Sequence, residues 1–240
     1  MKNVTLLALD TATEACSVAL LRGGEKTHLA QFAQREHTKH ILPMVDEILV
    51  QSGIMLRQVD ALVFARGPGS FTGVRIGAGI AQGLAFGAAL PVIPVSNLAA
   101  MAQAAYVQYQ AENVLTAIDA RMNEVYFAQW QAQKVRSDFG EFLDWQPIIA
   151  EQVCSPSKAI EQVAQQHHEN AVLAGTGWAA YPELNEANLG KATEITLPSA
   201  LYMLDLALPK WFAGEIISPL EIEPIYLRNE VTWKKLPGRE

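Results

Sequence analysis

The sequence predicts an α/β protein of two related lobes, and three observations carry that prediction. Apolar runs of strand length alternate with segments of helical period along the 240 residues. The first half reads strand, strand, strand, helix, strand, helix, strand, helix, and the second half loosely repeats it. A polar patch at 108–113, QYQAEN, separates the two runs.

In order, strands are expected over 4–9, 16–21 and 26–32, the last two joined by the turn Arg22-Gly23-Gly24-Glu25. Residues 38–51 place Ile41, Leu42, Val45, Ile48 and Leu49 at helical spacing, and Ser52-Gly53 ends that helix. A buried strand is expected over 59–65. The stretch 66–87, RGPGSFTGVRIGAGIAQGLAFG, then supplies a turn and a helix. A short strand over 91–95 leads to Ser96, which caps a helix over 97–106. Past the polar patch, strands are expected over 114–119 and 124–130, with less regular sequence to Pro147. A helix over 156–167 is capped by Ser155. A strand over 171–174 meets Gly175-Thr176-Gly177, and a helix over 200–213 contains Pro209, expected to kink or end it. This divides the chain into lobes 1–107 and 108–217 and an extended tail 218–240.

The glycine-rich helix organises the whole. Seven glycines fall within the 21 residues 67–87, and each one inside a helix costs roughly 1 kcal/mol relative to Ala. The fold must therefore need smooth surfaces there. Gly79, Gly83 and Gly87 share one face, and Gly73, Gly77 and Ala81 make a second ridge. One ridge is expected against the protein's own sheet and the other against a further helix. The turn GPGSFTG can cradle phosphate at a helix N-terminus, but it lacks the Lys-Ser/Thr of a P-loop and reads first as a packing turn.

Composition narrows the function. Half the residues are apolar and 18% are charged, below the ~25% of average usage, so the surface is easily desolvated against a partner. The net charge is −7, which argues against tight nucleic-acid binding by this chain, since neutralising phosphates needs clustered Lys and Arg. The nearest cluster is Lys234-Lys235 with Arg239 in the tail. Cys16 and Cys154 read as buried free thiols. The N-terminal apolar run is too short for a signal peptide and nothing suggests a membrane span, so a cytoplasmic location is expected.

Few residues suggest chemistry. Asp10, ending the first strand, can hold a metal–phosphate group in a two-lobed ATPase or act as a turn residue bonding its own backbone. His37 and His40 stand beside Glu36, but Lys39 intervenes and no third ligand is evident, so they read as a cap or interface pair. His167-His168 suits a helix end. Asp119-Ala120-Arg121 follows the first strand of the second lobe as Asp10 does in the first; the side chains of Ala120, Arg121 and Met122 obstruct a backbone approach to phosphate. Gly175 and Gly177 can approach a nucleotide base or simply turn the chain.

Four blocks, LALDTATEACSVAL, GPGSFTGVRIG, IDARMNEVYFA and PIYLRNEVTWKK, together resemble the bacterial TsaB family, also known as YeaZ. They are spread over nearly the whole chain. The resemblance implies the two-lobed fold of the actin and sugar-kinase ATPase superfamily, built from duplicated ribonuclease H-like lobes. It implies membership of the complex that makes threonylcarbamoyladenosine beside the anticodon of tRNAs reading ANN codons. There TsaD, a paralogue, transfers the threonylcarbamoyl group, TsaB pairs with it, and the ATPase TsaE joins them. The metal-binding paralogue carries two histidines four apart; the matching positions here are Asn97 and Met101, poor replacements for an imidazole pair. The resemblance thus implies a non-catalytic subunit with no metal or cofactor of its own and only indirect contact with tRNA. An ATP-using transferase or kinase working in its own cleft is the alternative. Pairing is expected through the first two helices, with His37, Ile41, Met44, Val45, Ile48, Gly73, Val74, Gly77, Ala78 and Ala81 as the partner interface. The same charge-poor surface offers a homodimer contact when TsaD is absent.

Overall fold

A computed structural model describes residues 4–137, 140–166 and 169–228. The His167-His168 pair, Lys234, Lys235, Arg239 and the rest of the chain beyond 228 lie outside them.

The first half forms β1 (Thr5–Asp10), β2 (Ala15–Arg22), β3 (Glu25–Phe32), α1 (His37–Gln51), β4 (Ala61–Gly67), α2 (Phe71–Ala88), β5 (Val92–Ser96) and α3 (Asn97–Tyr109). Its sheet runs β3-β2-β1-β4-β5, with β1, β4 and β5 parallel and the first three strands antiparallel neighbours. Strands β1 and β4 are covered on both faces, which is why they read as unbroken apolar runs rather than alternating ones.

The second half forms β6 (Asn113–Asp119), β7 (Val125–Ser137), β8 (Gly140–Cys154), α4 (Pro156–Ala164), β9 (Val172–Ala174), α5 (Gly177–Ala180), α6 (Pro182–Glu186), β10 (Lys191–Ala192) and α7 (Ala200–Ala213). Its sheet runs β8-β7-β6-β9-β10, the same order as the first. β6 pairs antiparallel with β7 and parallel with β9. The two sheets thus repeat one strand order, the duplicated α/β lobes that the sequence leads one to expect.

Three expectations need correction. The irregular stretch before Pro147 is strand β8, part of a long hairpin with β7. Pro147 sits on an edge strand beside a register irregularity in the β7–β8 ladder, where Pro is tolerated. Helix α3 continues through residue 107 to Tyr109, so the chain leaves the first half at the left-handed Gln110. Pro209 does not end α7, which runs on to its left-handed Gly214 cap.

The lobes are not separated by an open cleft along their depth. Helix α3 packs on the second sheet and α7 returns to the first. Together they fill the interval with a shared core in which Leu98, Met101, Met203 and Leu204 meet Ala8 and Val63 on one side and Val114 and Trp130 on the other. Polar contacts fix α7 in place: the Ala200 amide donates to Ser17 Oγ at 2.9 Å, and Lys26 pairs with Asp205. Residue ranges 1–107 and 108–217 therefore name two sheets, but each sheet borrows a helix from the other half. Helices α1 and α2 cover the outer face of the first sheet through Ile41, Val45, Ile48, Ala81 and Ala85.

Candidate functional site

The turn before α2 is filled by the chain itself. Ser70 caps the helix by accepting from the Gly73 amide at 3.0 Å, and its own amide donates to Ala12 O at 2.7 Å. Thr11 Oγ1 donates to Gly73 O at 2.8 Å. A Cβ on Gly69 would lie 2.4 Å from Ala12 O, and one on Gly73 2.2 Å from Thr11 O. These glycines admit the β1–β2 turn, so the space a phosphate would need is occupied.

Asp10 sits beneath that turn with no exposed surface. Its Oδ1 accepts from the Ala12 amide at 2.8 Å and from Asn97 Nδ2 at 3.1 Å, while Oδ2 is buried without a hydrogen-bond partner. Burial pushes its carboxyl up to about 6, against the lowering effect of those two bonds. Asn97 in turn accepts from the Gly67 amide at 3.0 Å. Asp10 and Asn97 thus join three segments: the β1–β2 turn, the end of β4 and the start of α3. Met101, one turn on, is fully buried in the shared core.

The second lobe repeats the layout with different groups. Asp119 Oδ1 accepts from the Arg121 amide and from the Tyr181 hydroxyl, both at 2.8 Å. Desolvation and then that carboxylate push the Tyr181 hydroxyl up to about 12. Arg121, Met122 and Asn123 are all left-handed, with φ of 61°, 58° and 59°, each costing roughly 1–2 kcal/mol. The turn presents carbonyls: Arg228 Nη2 donates to Ala120 O at 3.0 Å and to Arg121 O at 3.4 Å, and to Glu124 Oε2 at 2.5 Å. Carbonyl oxygens repel phosphate, so side-chain bulk is not the only obstacle here. Gly175 and Gly177 are used for packing, since a Cβ on either would meet Ala117 at 2.0 Å and 3.0 Å.

The tail links the two turns. The Ile225 amide donates to Arg66 O at 2.8 Å. Tyr226 lies against Phe71, and the Arg75 guanidinium sits over both rings, 3.3 Å from Phe71 and 4.7 Å from Tyr226. Arg228 then reaches the second lobe, and Arg121 pairs with Glu14 at 3.5 Å.

The residues expected at a partner interface face inward in the isolated chain. Ile41, Met44, Val45, Ile48, Val74, Ala78 and Ala81 are buried within the lobe itself, as are Gly73 and Gly77. His37 is also buried and bonds Thr13 O through Nε2 at 2.6 Å, tying α1 to the β1–β2 turn; His40 instead faces Glu36 at 3.6 Å. Hydrophobic period finds the inward face of a helix and, by itself, says nothing about the outward one. The outward face carries the other ridge. Among the described residues nothing lies within 4 Å of a Cβ built on Gly79, Gly83 or Gly87, and Leu42 and Val50 of α1 and Phe71 and Phe86 of α2 are exposed.

The family model for TsaD, tRNA N6-adenosine threonylcarbamoyltransferase, matches residues 29–208. The chain is 69% identical over 240 residues to a tRNA threonylcarbamoyladenosine biosynthesis protein TsaB from Haemophilus influenzae, covering all of both chains. It is 48% identical to the Escherichia coli TsaB over 237 residues, 98% of this chain and 99% of that one. The chain belongs to the TsaB family. A solved structure described as YeaZ from Pseudomonas aeruginosa is similar with a TM-score of 0.79 at 39% identity, covering 93% of this chain and 100% of that one.

Asn97 and Met101, which the resemblance sets against the paralogue's metal ligands, are not arranged to hold a metal in this chain. The Asn97 amide is engaged at both ends and Met101 is sealed in the core. Among the described residues no group of three or more His, Cys, Asp or Glu is placed to hold a cation, and no helix is long and apolar enough to cross a membrane. Sequence reasoning missed Tyr226 and Arg228 as cleft-closing groups. PIYLRN was legible only as a family block, because nothing local says where an extended segment docks.

Proposed function

We propose that this TsaB is a non-catalytic subunit of the threonylcarbamoyladenosine complex, which supports TsaD through the outward faces of α1 and α2 and acts together with TsaE. The observation that carries this reading is the self-closure of both turns: the first by Thr11 and Ala12, the second by Arg228. A chain that fills its own phosphate positions has its open, charge-poor helix face left to offer. Smooth glycine ridges let a partner helix approach closely, and Leu42, Val50 and Phe86 supply apolar area beside them. The same face supports a homodimer when TsaD is absent, and the acidic net charge leaves contact with tRNA to the partner.

Gly83→Leu tests the surface, since the added side chain points into open space. Gel filtration with TsaD is expected to show the complex peak lost while the isolated variant keeps its fold. An unchanged complex at wild-type affinity would refute the assignment. Gly77→Leu and Ala81→Glu, which the sequence alone suggests as probes, strike the lobe's own packing and are unsuitable.

The match to the TsaD model favours a second reading, an ATP-using transferase acting in its own cleft. Calorimetric titration of the isolated chain with Mg-ATP separates the two. Silence supports the subunit reading, and tight binding with turnover supports the transferase.

A further inference from the structure

The outward ridge of α2 is longer than its glycines. Phe71, Arg75, Gly79, Gly83 and Gly87 stand four residues apart and form a single row along the helix. The glycine end of the row is open, while its Phe71–Arg75 end carries the tail. Tyr226 lies against Phe71 with ring centroids 6.5 Å apart, and the Arg75 guanidinium is shared between the two rings. Phe71, Arg75 and Tyr226 are all exposed, so water weakens this contact.

The same short segment holds the second lobe. Its backbone is seated on the end of β4: the Ile225 amide donates to Arg66 O at 2.8 Å, and Ile225 O lies 3.2 Å from a Cβ built on Gly67. Arg228, with only Leu227 between it and Tyr226, bonds Ala120 O, Arg121 O and Glu124 Oε2. The turn it grips is strained, since Arg121, Met122 and Asn123 are all left-handed. Such a turn keeps its shape only while its surroundings over-determine it. It therefore has two arrangements, pinned by Arg228 or released, and the pin sits next to the ring on the α2 ridge.

We infer that residues 225–228 are a strap coupling the α2 face to the β6–β7 turn: a helix docked on that face seats the strap more firmly and so holds the turn of the other lobe. This rests on the assignment of the α2 face to TsaD. A docked helix removes water from Arg75 and the two rings, and a guanidinium–ring contact strengthens when desolvated. Only the seated arrangement gains, so docking shifts the strap toward it. The effect is reciprocal: the factor by which docking favours seating is the factor by which seating favours docking.

The test is amide hydrogen exchange, read by mass spectrometry on the full chain with and without TsaD. Exchange at 120–124 is expected to slow about 5-fold when TsaD is added, the scale of the cation–π gain on desolvation, while α4 in the same half is unchanged. In Arg228→Ala, altered away from the α2 face, that slowing is expected to vanish and TsaD to bind about 5-fold more weakly. Gly83→Leu separates this inference from the face assignment. If that variant still binds TsaD at wild-type affinity, the face assignment falls and the coupling falls with it. Where Gly83→Leu does lose TsaD, four results would overturn the coupling alone: wild-type exchange at 120–124 unchanged or faster with TsaD, equal slowing in α4, slowing that persists in Arg228→Ala, or wild-type TsaD affinity in Arg228→Ala.

Discussion

Replacing Asp10 with Asn asks whether this acid is framework or machinery. The carboxyl is pushed from an ordinary 3.8 to about 6, chiefly by burial. A folded-state value above the unfolded one means that folding favours the protonated form. The associated stability is fully present below pH 4 and is lost as pH rises through 6. The size is about 3 kcal/mol, and about half of it falls between pH 5 and pH 8. Asn keeps an oxygen for the Ala12 amide and Asn97 Nδ2 but carries no charge to desolvate. Urea unfolding of wild type and Asp10→Asn from pH 5 to pH 8 is the assay. The variant is expected to gain on wild type by about 1–1.5 kcal/mol as pH rises across that range, and to support tRNA modification by TsaD at the wild-type rate. A stability difference that stays constant with pH, or one that moves in the opposite direction, would refute the burial argument. Loss of modification with an intact complex would make Asp10 functional after all.

Further outcomes follow from the same contacts. Gly73→Ala drives a Cβ into Thr11 O and is expected to destabilise by about 3 kcal/mol, whereas Gly83→Ala, facing open space, should stabilise by up to about 1 kcal/mol; urea midpoints measure both. Arg228→Ala removes the anchor on the β6–β7 turn. Because the pair is partly exposed, the global cost should stay below about 1 kcal/mol, while amide exchange at 120–124 rises. Cys16 and Cys154 are pushed up to about 12 and about 11, mainly by burial. Ellman's reagent should therefore label neither in the native state and both in urea.

Much of the fold could be read from the chain because its central strands β1, β4 and β6 are buried on both faces and four of its helices are capped by serines. Ser70, Ser96, Ser155 and Ser199 each accept a backbone amide at a helix start. The β7–β8 hairpin escaped because an edge strand can carry charges and Pro147 without loss. The swap of α3 and α7 between sheets escaped because an apolar stripe says that a helix is buried, not against which sheet. The site divides the same way. Asn97 and Met101 stood out only through the resemblance; in the structure Asn97 ties the β1–β2 turn to the end of β4 and Met101 packs in the shared core. Ile41, Val45 and Ala81 repeat with the period of the lobe's own core, which hydrophobic spacing alone does not distinguish from a surface meant for a partner. The Gly79, Gly83 and Gly87 ridge, visible in the sequence, is the one left open.

The most direct measurement is a reconstituted tRNA modification assay with purified components, omitting one protein at a time. With threonylcarbamoyl-adenylate and an ANN-decoding tRNA supplied, this chain alone is expected to yield no threonylcarbamoyladenosine. Omitting it from a mixture of TsaD and TsaE is expected to cut the product by more than an order of magnitude. Product from this chain alone, or an unchanged yield without it, would contradict the account.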